Sequence, residues 1–379
     1  MPITSIFYLL TLIVIAWLPY KLEQKSSSKL FKFLPPIVIV YFLAMLVGNI
    51  DIFTSEIKHL QSTLRNFLLP LMIFLLLLKA DISIILKLKK RLVIAFFSAT
   101  LSIMISFIIV FYITQNWFNE NASGTFAALA GSWMGGTVNM LSVASAFEVN
   151  NTSLGYTLLI DSIDYAIWVM FLLSIVKTSN IFNKFTKSES SLELINIEPV
   201  KNHNFSIPKI LLVFLIGIFF SYSSRKFSAT FNTELLGSST WTILIITTIT
   251  LIFAQTPLKK VEGVQQSGIA LLSFLVALIG SQASIVHFNS LPLYILAGLI
   301  ILVVHAILML ISAKIFKLDL FSSAVASLSH IGGIASAPIL AASYSQHLIP
   351  VGVIMATLGY IIGTFGGLII GKILIMIST

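Results

Sequence analysis

No cysteine occurs anywhere in the chain. That excludes disulfides, thiolate metal sites and a cysteine nucleophile. Charge is almost as scarce: 10% of the residues are Asp, Glu, Lys or Arg, where a soluble domain carries about 25%. Nor is there a nucleophile elbow, a phosphate-cradling glycine loop or a metal-ligand cluster of recognisable spacing. The residues therefore point away from an enzyme and call for no cofactor beyond a coupling ion. The opening MPITSIFYLLTLIVIAWLPYK lacks the basic leader and small-residue cleavage site of a signal peptide and is expected to be a retained helix.

What the chain has instead is apolar surface. Hydrophobic residues make up 57% of it and its mean hydropathy is +1.00. Runs of about 20 apolar residues are the length of helices crossing a hydrocarbon core of roughly 30 Å, and the short alternating segments of a barrel are missing. The expectation is a multi-pass protein of the cell (inner) membrane, all-α, with the lipid bilayer as its main partner. The net charge of +9 is explained by basic cytoplasmic loops, which orient membrane proteins, and no nucleic-acid partner is needed.

Ten apolar spans are expected, near residues 4–20, 33–49, 62–78, 92–114, 154–176, 208–223, 240–256, 266–284, 291–314 and 350–376. Two further segments, 123–148 and 321–345, are rich in Gly, Ala and Ser. They hold "GSWMGGTVNM" (131–140) and "SLSHIGGIASAPIL" (327–340). Gly135-Gly136 aligns with Gly332-Gly333, Asn139 with Ser336, and Asp164-Tyr165 with Gly359-Tyr360 further on. This is a weak internal repeat: residues 1–176 form a first half, 177–207 a polar cytoplasmic linker and 208–379 a second half.

Loop charge separates two topologies. If both glycine segments cross, the inside loops hold 11 of the 23 Lys and Arg residues, which is no bias. If both enter and return, the inside loops hold four in 21–32, five in 79–91, five in 177–209, then Lys259, Lys260, Lys314 and Lys317. That is 18 of 23, the asymmetry expected of cytoplasmic loops. Five spans per half then invert the second half relative to the first and leave both termini outside. Inverted repeats with interrupted helices are a secondary-transporter architecture. Crossing, broken helices remain the alternative.

Backbone that leaves a helix inside a bilayer is tolerated where it lines a cavity or is buried in protein. Glycine supplies the dihedrals and the close approach, freed N–H groups suit an anion and freed carbonyls a cation. The candidate solute-binding set is therefore Gly135, Gly136, Thr137, Asn139, Ser329, His330, Gly332, Gly333 and Ser336, with Trp133, Tyr165, Tyr360 and Thr364 in support. Tight helix packing through small residues is the competing explanation, and Trp133 could equally be a lid, a stacking surface or an interfacial anchor. Asp161 and Asp164 share a helix face at i,i+3. An acid within a span is costly, so both are candidates for binding Na⁺ or H⁺, together with Thr137 and Asn139; a structural pairing with Lys79 is the other reading. Two acids on one helix do not make an aspartyl protease. His305 reads as a hydrogen-bonded packing residue, with a proton relay as the alternative.

These motifs, with "LIDSIDYAIWV" and "TLGYIIGTFGG" and the spans between them, resemble the YjcL-like family of membrane proteins (domain of unknown function 819). That family is similar to a superfamily of cation:proton antiporters and of bile-acid, glutamate and hydroxycarboxylate symporters. The resemblance implies an inverted repeat and a core domain of broken helices that moves, elevator-like, against a scaffold through which two copies can pair. Two departures stand out: "GGTVN" and "GGIAS" differ from the symporter tips, and the aspartates are not adjacent as in the antiporters. The expected function is a sodium- or proton-coupled symporter of a small polar, carboxylate-bearing solute. A monovalent cation:proton antiporter and a non-transporting receptor or assembly protein are the alternatives.

The loop charges generate a direct test. In this cysteine-free chain Lys184→Cys should react with an impermeant thiol reagent only from the cytoplasmic side. Labelling from outside would overturn the ten-span arrangement.

Overall fold

The computed structural model describes residues 3–25, 35–49, 55–80, 88–118, 122–188, 206–231, 237–283 and 290–378. Among these the regular structure is helical throughout: α1 Ile3–Lys25, α2 Pro36–Gly48, α3 Ser55–Leu77, α4 Lys90–Thr114, α5 Ala122–Gly135, α6 Thr137–Ala146, α7 Asn151–Ser174, α8 Ser179–Thr186, α9 Ile207–Ser228, α10 Ser238–Phe253, α11 Val264–Gly280, α12 Leu291–Phe316, α13 Leu320–Ile331, α14 Gly333–Tyr344 and α15 Ile349–Ser378.

Every expected span has a helix, but not every helix has the expected length. Seven, namely α1, α3, α4, α7, α9, α12 and α15, are long and apolar enough to cross a membrane. The others matched to expected spans are shorter: α2, α10 and α11 have 13, 16 and 17 residues, or about 20, 24 and 26 Å at 1.5 Å per residue. Their starts have local causes. Pro35 and Pro36 stand at the head of α2, where proline begins a helix but cannot sit inside one without breaking its bonds. Gly237 precedes α10, and Gly263, with φ +85, precedes α11. Residue 284, the tail of one expected span, and residues 33–34, the head of another, lie outside the described residues.

The segment expected as a linker, 177–207, is helical near its start. Ser179–Thr186 is a helix, closed by Lys187 in the left-handed region with Ser188 N–H donating to Asn183 O at 3.0 Å. It docks on its own unit: Asn183 Oδ1 accepts from Leu320 N–H at 2.9 Å, satisfying a free donor at the start of α13, and Lys314 donates to Phe185 O. Residues 189–205 lie outside the described residues.

The chain divides into two compact units that cut across the sequence halves. Unit 1 comprises 1–79, 144–163 and 203–292; unit 2 comprises 80–143, 164–202 and 293–379. In both halves the cut falls after the third span, behind α3 and behind α11.

In unit 1, α11 packs against α1, α2 and α3, and α3 against α9 and α10. Two glycines permit the α2–α11 approach. A Cβ on Gly48 would collide with Ser281 O, and one on Gly280 would collide with Tyr41 O. Polar stitches reinforce it: Tyr8 OH to Ser281 Oγ at 2.6 Å, Asn49 Nδ2 to Ala283 O at 2.8 Å and Tyr41 OH to Asn151 O at 2.7 Å. In unit 2, α15 lies along α5, α13 and α14, and α13 packs on α4. Outward faces are apolar. Phe97, Leu101, Ile105 and Ile109 on α4 and Leu211, Leu215, Phe219 and Tyr222 on α9 are all exposed, a burden that lipid, not water, accepts.

The α2–α11 contact yields a stability prediction. Gly280→Val should lower the melting temperature, by the equivalent of about 1–3 kcal/mol, because backbone rather than a flexible side chain must give way. Gly237→Ala, with nothing within 4 Å of the added methyl, should leave it unchanged. Equal melting curves for the two variants would remove the contact from the account.

Candidate functional site

Both glycine motifs interrupt a helix. α5 stops at Gly135 and α6 starts at Thr137, with Gly136 between them at φ +84. α13 stops at Ile331 and α14 starts at Gly333, which has φ +58. A side chain in this left-handed region is strained, and glycine is not.

The two interruptions meet. A Cβ on Gly136 would lie 3.5 Å from the Tyr360 ring and one on Gly333 would lie 3.9 Å from it. Gly359 stands between the segments, where a Cβ would be 2.8 Å from Met134 O and 3.2 Å from Ser329 O. Tyr165 closes on the second interruption, its ring 2.8 Å from a Cβ on Gly332. The motif residues of both halves, Tyr165 and Tyr360 thus form one cluster within unit 2. Gly136, Thr137, Gly332, Tyr165 and Tyr360 are partly accessible there, whereas Asn139, Ser329, His330 and Ser336 are buried.

The buried polar residues behave differently from one another. Asn139 locks the first interruption: its Nδ2 donates to Gly135 O at 2.6 Å and to Tyr360 O at 3.3 Å, and its Oδ1 accepts from Thr364 Oγ1. Its amide is thereby committed to the backbone. Ser329 Oγ donates to Val325 O at 2.6 Å. Ser336, the aligned partner of Asn139, has a buried hydroxyl with no hydrogen-bond partner among the described residues, placed one turn into α14 and against Gly332. His330 bridges Ala326 O and Thr100 Oγ1, both at 2.8 Å.

Trp133 is fully buried, edge-to-face on Phe107 at 5.5 Å. That burial is at odds with an interfacial anchor, which needs an exposed ring. Asp164 is fully buried and Asp161 partly so; the first belongs to unit 2 and the second to unit 1. Lys79 donates to Val261 O at 3.0 Å, and burial lowers its ammonium pKa from the ordinary value, while Glu262 opposes that shift.

Sequence reasoning passed over Thr100, Ser102, Trp168 and Ser327. Trp168 Nε1 donates to Ser327 Oγ at 2.9 Å, and His305 lies between Ser327 Oγ at 2.8 Å and Ser102 Oγ at 2.7 Å. The available signal was the Ser98, Ser102, Ser106 spacing on α4, a polar stripe at i,i+4.

The Asn139 lock predicts non-additivity. Asn139→Ala and Thr364→Val should each destabilise unit 2, the first more, by about 1–3 kcal/mol. The double variant should cost less than the sum because the two side chains share one bond. Strict additivity in thermal or denaturant unfolding would separate them.

Comparison with known proteins covers nearly the whole chain. It is 23% identical over 352 residues to "Uncharacterized membrane protein YjcL" of Bacillus subtilis (strain 168), which spans 87% of each chain. The family model described as "Protein of unknown function (DUF819)" matches residues 6–377. The chain is a membrane protein of the DUF819 family.

Proposed function

We propose that the chain is a secondary active transporter: a sodium- or proton-coupled symporter of a small polar, carboxylate-bearing solute, working by elevator-like alternating access. One observation carries the reading. Helix interruptions from opposite halves of the sequence converge on Tyr360, so two new helices, α6 and α14, begin at one place. The first N–H groups of a helix have no partner within it, and the helix dipole favours negative charge there. Two such starts in a bilayer, where water cannot satisfy them, suit a carboxylate.

Three features support it. Thr137 is partly accessible at the head of α6. Ser336 keeps an unspent hydroxyl near the head of α14. The cut after the third span in both halves leaves both interruptions in unit 2, as a carrier paired with a scaffold would require. The inverted relation of the halves, the re-entrant course of the interrupted segments and kinship with the antiporter and symporter superfamily belong to the same proposal. Asp164, buried on α7 beside Tyr165, is the carboxylate proposed to bear the coupling ion if that ion is Na⁺, since a hard cation prefers oxygen ligands and an anionic one offsets its dehydration.

A thermal-stability screen of small mono- and dicarboxylates, with and without Na⁺, tests the reading, because a ligand that binds only the native state raises the melting temperature. A stabilising carboxylate is expected, and Gly136→Val and Gly333→Val should abolish its effect while remaining monodisperse. Asp164→Asn should erase any sodium dependence, since linkage between two ligands is reciprocal. No stabilisation by any carboxylate, or equal stabilisation in both valine variants, overturns the solute site.

A further inference from the structure

Two fully buried histidines lie in the interior of unit 2: His305 is held by two hydroxyl groups and His330 by a hydroxyl and a backbone carbonyl. For His330 the hydrogen-bond accounting is specific. Nδ1 faces Ala326 O at 2.8 Å. A carbonyl only accepts, so Nδ1 carries a proton in every state. Nε2 faces Thr100 Oγ1 at 2.8 Å, and the same hydroxyl is 3.1 Å from Phe96 O. Thr100 has one proton and two places to put it. When His330 is neutral, the hydroxyl donates to Nε2. When Nε2 takes up a proton, N–H donates to Oγ1 and the hydroxyl turns to Phe96 O. Neither state strands a buried donor, and no heavy atom moves. The Phe96 ring, with its centroid 4.2 Å from that of His330, offers a π face to an imidazolium.

We propose that His330 with Thr100 is a proton-binding site in the interior of unit 2 and that the coupling ion is therefore H⁺. The site stands on this geometry; its role in coupling rests on the transporter reading above.

His305 supplies a route. Both its nitrogens face hydroxyls, Ser102 Oγ on α4 and Ser327 Oγ on α13, so it can take a proton on one side and release one on the other as the hydroxyls turn. Ser327 and His330 are three residues apart on α13, hence on one face. Beyond Ser327 lies a cavity of about 310 Å³, lined by Trp168, Phe182, Ser323 and Ser327 among others.

A group of other charges gathers at the start of α13. Asp319, which caps α13 and lies 3.9 Å from Arg91 of α4, is eleven residues before His330, about 16 Å along the helix. Lys90 shares that end of α4. Lys184 on α8 and Lys314 on α12 gather there too, and Tyr344 of α14 packs on Phe321 at the same end. On α15 Tyr360 sits at the interruptions and Lys372 three turns beyond it; Tyr112 of α4 and Tyr294 of α12 lie toward the other end of α4. α5 has no titratable side chain. On α7, Asp164 and Tyr165 precede Trp168 by about a turn.

Imidazole ¹⁵N spectra of the full-length, histidine-labelled protein in micelles test the proposal, with His330→Gln and His305→Gln assigning two of the six histidines. Between about pH 9 and pH 4 His330 should pass from one neutral form, protonated at Nδ1, to a form protonated at both nitrogens. In Thr100→Val, Nε2–H loses its acceptor. The doubly protonated form should fall about tenfold at the pH where the wild type is half protonated, and Thr100→Ser should restore it. A His330 that keeps one neutral form throughout, or a titration unchanged in Thr100→Val, overturns the site. No solute is present, so this outcome is independent of the carboxylate screen, and a failed screen with an intact titration would sink the transporter reading alone.

Discussion

A helix interrupted inside a bilayer must find partners for the backbone groups it releases, because hydrocarbon offers none. At the first interruption one side chain takes up a released carbonyl and ties it to a neighbouring helix. Asn139 holds Gly135 O and Tyr360 O with its amide and takes the Thr364 hydroxyl on its oxygen. This works only because α15 comes close enough. Gly359, Gly363 and Gly367, one turn apart, face Met134 O, the Gly135 Cα and the Gly131 backbone; a Cβ at these positions would lie 2.8, 2.7 and 2.9 Å from them. The glycine row in "TLGYIIGTFGG" is a groove for α5, the small-residue packing of membrane helices. In this protein packing and the interrupted helix are one device: the groove brings the Tyr360 carbonyl to Asn139.

The second interruption lacks that lock. Ser336 occupies the aligned position and keeps its hydroxyl to itself, while Tyr165 fills the space beside Gly332. The halves share a backbone solution and diverge in side-chain chemistry, one tied to the protein and the other left with unused hydrogen-bonding capacity.

How much of this the sequence disclosed depends on the range of the interaction. Long apolar runs are local, and the helices of 1–79 and 206–378 follow them. Gly-Gly beside polar residues is also local, and the interruptions at Gly136 and Gly333 fall where it stands. The lengths of α2, α10 and α11 were less legible, because proline and glycine set their starts inside runs that remain apolar. α8 was hidden by its brevity: Ile181, Phe182 and Phe185 give it an apolar side, but eight residues of "SNIFNKFT" read as loop until Leu320 N–H is there to be capped. The approach of Gly136 and Asn139 to Tyr360 and of Ser102 to His305 joins residues more than 200 positions apart, and no spacing encodes it.

The polarity of α4 explains why the interior of unit 2 can hold histidines at all. Ser98, Ser102 and Ser106 point inward while Phe97, Leu101, Ile105 and Ile109 point out, the reverse of a helix in water. Ser102 also returns a hydrogen bond to Ala99 O and Ser106 one to Ser102 O, so both hydroxyls have an acceptor within their own helix, and Ser102 still meets His305. Such groups cost little to bury, since the helix backbone supplies their acceptor, and they keep a lone pair for a neighbour. Unit 1 uses its polar side chains otherwise. Tyr8, Asn49 and Arg65 reach to Ser281, Ala283 and Asn151, long stitches between helices. Beside the histidines of unit 2 the partners are hydroxyls of Thr100, Ser102 and Ser327, which can turn as a proton is gained or lost without rebuilding the packing.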